Sequence, residues 1–402
     1  MDLKFLLELV EKVCEIGLKY RDYSYYKEIE IFENYFNDSA LKIDKLDKQD
    51  GKFNRKEILS RYILVNVILD QGPDIKGVKI FLKNFIDELY RKEIRILHKP
   101  IDFFKELNIS IDELIKQHNS IKGIRANEWA AENKTKPSKY SLFFAQSQRG
   151  IVPNKVLDYA IHRIGVPLSL FYLLEKDYEN QNEDIKEVFV DYLESFPSVE
   201  IMTKNLKNHN RYGLGNAIGD KACHLFAKLY VSILKLVEKI DKGWSNISYE
   251  LPFDSNAGRV LFRTGFLFEL TDENSYINWN IIQKGKGKEK TNYIRVTNIR
   301  GKKIQLQNQS NLLDDYKIII KDYFKEKRRL NGIEIQRFPN LLIYKINNEK
   351  NKDYSIADFD DGLINIGLNY CFNHKYPNCN ICLINNLCKG YKNRKLIEEY
   401  TT

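Results

Sequence analysis

Cys371, Cys379, Cys382 and Cys388 fall within 18 residues in the spacing C-x7-C-x2-C-x5-C, whereas Cys14 and Cys223 stand alone. Four thiols on one short segment of a cytosolic chain read as metal or cluster ligands before they read as disulfides. A zinc ribbon usually offers two C-x2-C knuckles with a longer span between them, and only Cys379 and Cys382 form such a pair. Short gaps on one compact loop suit a cubane [4Fe-4S] cluster, in which each iron takes its own thiolate. The alternatives are zinc and a purely stapling role that rigidifies a basic loop.

A second candidate is Gly213-Leu214-Gly215-Asn216-Ala217-Ile218-Gly219-Asp220-Lys221, which leads into a helix with Ala222, Leu225, Phe226, Leu229 and Tyr230 on its apolar face. A glycine turn opening a helix presents unpaired backbone N–H groups that can hold a phosphate without reading sequence. Taken alone, such a turn is most often a plain helix–helix connection. Asp254 follows a proline turn at Pro252 and precedes a helical pattern, so in isolation it reads as an N-cap. The six histidines, His98, His118, His162, His209, His224 and His374, sit at no metal spacing and read as structural or surface groups.

Helical periodicity dominates the segments that must position these residues. Asp2 caps a first helix with Leu6, Leu9, Val10, Val13 and Ile16 on one face and Gly17 as its stop. A second helix spans 55–69 and ends at Gln71-Gly72-Pro73, after which Asp74 caps a third carrying Ile75, Val78, Phe81, Leu82 and Phe85. From 111 to 240 further helices are punctuated at 134–138, 150–153, 165–167 and 205–218. Residues 279–307 differ: 293–297 and 303–307 alternate around Arg300-Gly301-Lys302 as a β-hairpin would. Helices return at 312–330 and at 356–369.

The chain has 402 residues, 43% hydrophobic and 30% charged, with 25 Tyr and 22 Phe, a composition that excludes disorder and collagen. The apolar stretch 62–69 is broken by Asn66 and falls far short of a membrane span, and the N-terminus lacks a signal-peptide layout. The expectation is a soluble, cytoplasmic protein, nucleoid-associated if prokaryotic, with no membrane partner. Sixty-four Lys and Arg against 55 Asp and Glu leave a net charge of +9, which favours a polyanion such as nucleic acid.

A hairpin ending in Gly-x-Lys, then Asp-x4-Arg-Val-x2-Arg, then a terminal four-cysteine loop, in that order, resembles the helix-hairpin-helix DNA glycosylase superfamily of endonuclease III. Ile218-Gly219-Asp220-Lys221-Ala222 looks like the end of the family's Leu-Pro-Gly-Val-Gly-x-Lys-Thr-Ala hairpin. Asp254-Ser-Asn-Ala-Gly-Arg259-Val260 is similar to its Asp-Thr-x-x-x-Arg-Val segment. Residues 363–367 and the cysteine loop resemble its last helix and cluster loop. Ile68-Leu69-Asp70-Gln71-Gly72-Pro73-Asp74 is similar to the corner that supplies a DNA-wedging glutamine. The chain departs from the pattern in having Ala217 for the hairpin's first glycine and a first cysteine gap one residue longer. It also has about 70 extra residues between Gln71 and Lys221.

The resemblance implies an all-α, two-lobed glycosylase fold with an iron–sulfur loop and a small β insertion. Its lobes would be 60–243, a helical barrel with the hairpin, and 1–59 plus 244–402, with the insertion at about 270–312. It implies Lys221 and Asp254 as the catalytic pair, Gly215, Ala217 and Gly219 on the DNA backbone, Gln71 in the vacated base stack and a [4Fe-4S] cluster on the four cysteines. The substrate would be double-stranded DNA carrying a damaged or modified base, which must be flipped out to be reached. Asp254 would stabilise the positive charge that develops on the sugar, and Lys221 would form a Schiff base leading to β-elimination. The different class to set beside this is a catalytically silent, DNA-gripping or scanning protein, and a monomer is expected in either case. In the insertion, Lys284, Lys286, Lys288, Lys290, Arg295, Arg300, Lys302 and Lys303 face the single acid Glu289. This run is either a DNA-backbone contact or a solvated surface loop.

Overall fold

The computed structural model describes residues 2–21, 55–69, 82, 85, 86, 89, 94–106, 154–180, 187–237, 243–270, 282–286, 292–296, 334–372 and 377–393. These are mostly helical. The corner at Gln71, the turn at Arg300 and the expected helix at 312–330 lie outside them.

The first helix, α1 (Leu3–Tyr20), is capped as its sequence requires, with Asp2 Oδ1 accepting the Phe5 N–H at 3.1 Å. Its apolar stripe, Leu6, Leu9, Val10, Val13 and Ile16, is buried against α11 (Ile356–Asn369). Gly17 does not stop α1, which runs on to Tyr20. A Cβ at Gly17 would overlap the Asp358 carbonyl, and one at Gly362 would overlap the Val13 carbonyl. The two glycines are therefore there to let two helix backbones touch, which is a tertiary requirement and not a terminating one.

Helix α2 (Arg55–Leu69) lies at the expected position and is buried almost all round, from Ile58 to Leu69. It packs against α4 (Asn154–Glu179), α5 (Val188–Glu194) and α7 (Asp220–Ala227). Its buried Glu57 accepts the N–H groups of Phe189 and Val190 at 2.9–3.0 Å and so caps α5, whose own Glu187 makes no cap bond. Arg61 Nε holds the same carboxylate at 2.7 Å. Leu82, Phe85, Ile86 and Leu89 are helical and buried, consistent with the third helix. The expected break at 165–167 is absent, because α4 runs through Pro167. Ile164, Val166, Leu168, Leu170 and Phe171 are all buried there, and that packing outweighs the hydrogen bond that proline removes.

Short α3 (Pro100–Glu106) packs against α4, and α6 (Val199–Asn208) is capped by Ser198 and packs against α7. The chain then makes a 3-10 turn at Gly215–Ala217 and enters α7, which continues as a π-helical turn, Lys228–Ile233. After α8 (Ser255–Arg263) and α9 (Phe266–Leu270) the described residues include two antiparallel strands. Strand β2 (Asn292–Val296) covers most of the expected first strand and pairs with β1 (Ile282–Lys286), which precedes it, with Ile282 opposite Val296 and Lys286 opposite Asn292; the expected second strand, 303–307, lies outside the described residues. Only five residues separate β1 from β2, a short closure that favours this local pairing. Strand β2 runs beside α8. Helix α10 (Glu334–Lys350) packs against α1 and α11, and a last short helix, α12 (Lys389–Lys392), follows the cysteines. No helix among the described residues is long and apolar enough to cross a membrane.

Candidate functional site

Lys221 is the second residue of α7 and Asp254 is the N-cap of α8. Their side chains meet, with Lys221 Nζ donating to Asp254 Oδ2 at 3.2 Å, and both are about one-third exposed. Asp254 divides its two oxygens between tasks. Oδ1 accepts the Asn256 and Ala257 N–H groups, each at 2.8 Å, so the capping role read from the sequence is real, and Oδ2 faces the amine. Fixing the carboxylate to the first turn of α8 removes its rotamer freedom and aims the second oxygen outward.

The turn before α7 is braced from below. Gly215 has φ +58°, a left-handed conformation that glycine adopts without strain. Lys207, from α6, donates to the Gly215 and Ile218 carbonyls, tying both ends of the turn to one ammonium. Gly219, the N-cap of α7, makes no side-chain cap bond, and a Cβ there would meet nothing within 4 Å. Neither its backbone angle, φ −72°, nor its local packing requires a glycine.

Beneath the pair lies a buried charged layer. Lys228, seven residues after Lys221 and hence two turns along the same face, donates to Asp360 Oδ2 and Asp361 Oδ1, both at 2.6 Å. Arg21 reaches Asp361 at 2.7 Å and also Asp358. Burial raises the Asp360 carboxyl to about 6 against the pull of Lys228, with Asp361 and Asp254 adding to the rise. Burial opposes the charge on Lys228, but the two aspartates more than compensate and hold its ammonium well above its ordinary value.

The two arginines of the Asp-x4-Arg-Val-x2-Arg segment join α8 to the cysteine loop. Arg259 donates to the Cys371 carbonyl at 2.8 Å, the Gly367 carbonyl at 3.2 Å and Asn256 Oδ1 at 2.5 Å. Arg263, one turn later, donates to the Phe372 carbonyl at 2.5 Å and lies 3.5 Å from Cys371 Sγ. Cys371, Cys379, Cys382 and Cys388 all line one small pocket that opens partly to solvent. Burial pushes the Cys382 thiol up to about 11 and the Cys388 thiol up to about 12, with the neighbouring cysteines reinforcing the shift. Among the described residues no group of three or more His, Cys, Asp or Glu side chains is gathered to hold a metal ion. The four cysteines share the lining of that pocket without being gathered on one point.

The structure thus brings together Lys221 with Asp254, and the four cysteines with one another. Gly215, Ala217 and Gly219 lie on the turn leading into α7. Lys284 and Lys286 lie on β1, while Gln71 and Arg300 fall outside the described residues. Sequence reasoning did not single out Lys207, Lys228, Asp360 or Asn256. The seven-residue step from Lys221 to Lys228 and the four-residue step from Arg259 to Arg263 were the signals that could have pointed inward. His224, on α7, pairs with Glu250 at 3.3 Å, as a structural histidine would. Comparison with protein-family models, with curated proteins and with solved structures finds no match to this chain.

Proposed function

We propose that the protein is a DNA base-excision glycosylase with associated abasic-site lyase activity, acting on a damaged or modified base in duplex DNA. The observation that carries this reading is the Lys221–Asp254 contact at 3.2 Å, made by residues 33 positions apart at the starts of two different helices. An amine and a carboxylate so placed can divide the chemistry. Asp254 Oδ2 stabilises positive charge developing on the sugar and takes a proton from Lys221. The neutral Lys221 amine then attacks the anomeric carbon, the base leaves, and the resulting Schiff base permits β-elimination at the 3′ phosphate.

Two further features support it. The open N-terminus of α7 at Gly219, with empty space where a Cβ would be, leaves room for a phosphate to approach the backbone. The hairpin strand beside α8 carries part of the basic run near the same helix.

The four cysteines fit a [4Fe-4S] cluster: they line one pocket and present only sulfur donors, one for each iron. Bound there, the cluster would supply a rigid cross-link of the loop and a one-electron redox centre. The chain's own residues do the rest, with Arg259 and Arg263 tying the start of the loop to the helix that Asp254 caps.

Borohydride reduction in the presence of abasic duplex DNA tests the reading. A covalent complex is expected with the wild-type chain and not with Lys221→Ala, which should keep much of its DNA affinity. Duplex binding without base release, strand cleavage or trapping on a panel of single-lesion duplexes would favour a DNA-scanning protein instead.

A further inference from the structure

Arg263 presents an electrostatic problem that its protein neighbours do not solve. Its side chain is 1% exposed, yet Nε and Nη2 are both buried without a hydrogen-bond partner. Only Nη1 is engaged, by the Phe372 carbonyl at 2.5 Å and Cys371 Sγ at 3.5 Å. A guanidinium is charged at every working pH and carries five N–H donors. Burying it with most of them unused is costly unless an anion lies alongside. The described residues lining the pocket that Arg263 shares with the four cysteines include no carboxylate. Arg259, on the same face of α8, differs in having three oxygen acceptors.

We infer that Arg263 is the charge-compensating donor to the group the four cysteines hold, bonding its sulfur atoms and controlling how firmly it is retained and how readily it is reduced. This rests on the cluster reading above. Thiolates bound to iron carry the negative charge that the orphaned N–H groups lack, and hydrogen bonds to cluster sulfurs are one of the means by which a protein sets reduction potential. Reduction adds negative charge beside the guanidinium, so the arginine favours the reduced state. Its removal should move the midpoint potential to a more negative value. Arg263 is a positioning and tuning residue that touches neither DNA nor the Lys221 amine.

The test uses full-length wild type, Arg263→Gln and Arg263→Lys, purified anaerobically, with iron and sulfide content, chelator-driven cluster loss and midpoint potential measured on each. Arg263→Gln should lose iron about 10-fold faster or more and show a more negative potential, with Arg263→Lys closer to wild type. A folded Gln variant with wild-type retention and potential overturns the inference. Should the Gln variant not fold, pulsed electron paramagnetic resonance on reduced wild type labelled with 15N-arginine decides. Coupling of guanidinium nitrogen to the cluster upholds the inference, and its absence overturns it. If wild type instead carries one zinc and no sulfide, the cluster reading fails by itself. The arginine is then judged by zinc release, which is faster in Arg263→Gln if the inference holds and unchanged if it does not.

Discussion

Lys228 Nζ donates to Asp360 Oδ2 at 2.6 Å, one buried layer beneath the contact between Lys221 and Asp254. Both pairs join the α7 segment to another helix, Lys221 to α8 and Lys228 to α11. The first pair is about one-third exposed to solvent, whereas the second is buried and ties the two helices together.

That buried layer gives a pH signature. Asp360 faces Lys228 from the π turn, Asp361 on its own helix and Asp254 from α8, and its folded value of about 6 lies above the ordinary 3.8. Between these values the folded chain binds more protons than the unfolded one, so the contribution of Asp360 to stability is full below about 3.8 and is lost as pH rises to about 6. Thermal melts of wild type and Asp360→Asn from pH 4 to 6.5 should therefore show wild type losing stability relative to the variant as pH rises. Parallel curves would mean that Asp360 is ionised throughout.

Asp254→Asn separates the two tasks of that side chain. Asparagine can still accept the Asn256 and Ala257 N–H groups, so the melting temperature should change little while single-turnover base release falls by ~10²-fold or more. Asp254→Ala should lose the cap as well, at about 1 kcal/mol. An active, folded Asn variant would exclude the electrostatic role.

Gly17→Ala places a methyl group onto the Asp358 backbone where α1 meets α11. Because the neighbour is backbone and not a flexible side chain, the helices must separate, and a loss of about 1–3 kcal/mol in denaturant unfolding is expected. A loss below a few tenths of a kcal/mol would mean that the helices do not touch at this point.

Anaerobically purified protein should be brown and carry iron and labile sulfide, and Cys379→Ser or Cys382→Ser should lose both. One zinc per chain without sulfide is the result that removes the cluster.

The basic hairpin beside α8 should track the DNA backbone. Changing Lys284, Lys286, Lys288 and Lys290 together to Ser should lower the log–log salt dependence of duplex binding by about one unit for each phosphate no longer neutralised, without changing which base is removed. An unchanged slope would turn the hairpin away from DNA.

The sequence by itself determined the helices whose signals are local: the Asp2 cap with its 3.6-residue stripe, the span of α2, and Ile356–Asn369 as one helix. It also brought the four cysteines into one short segment, since ligands that close along the chain need little tertiary help to meet. Tertiary structure alone decided the rest. Gly17 reads as a helix stop until α11 is packed against it, and Pro167 reads as a break until its helix is buried on both sides. That 282–286 pairs with β2 was not read from the sequence, where those residues carry only a Lys-Gly alternation. Only the resemblance paired Lys221 with Asp254; their spacing of 33 positions leaves the distance undetermined until α7 and α8 dock. The same indeterminacy holds for Lys228 and Asp360, 132 residues apart. Charges are paired in space, and a sequence lists them only along a line.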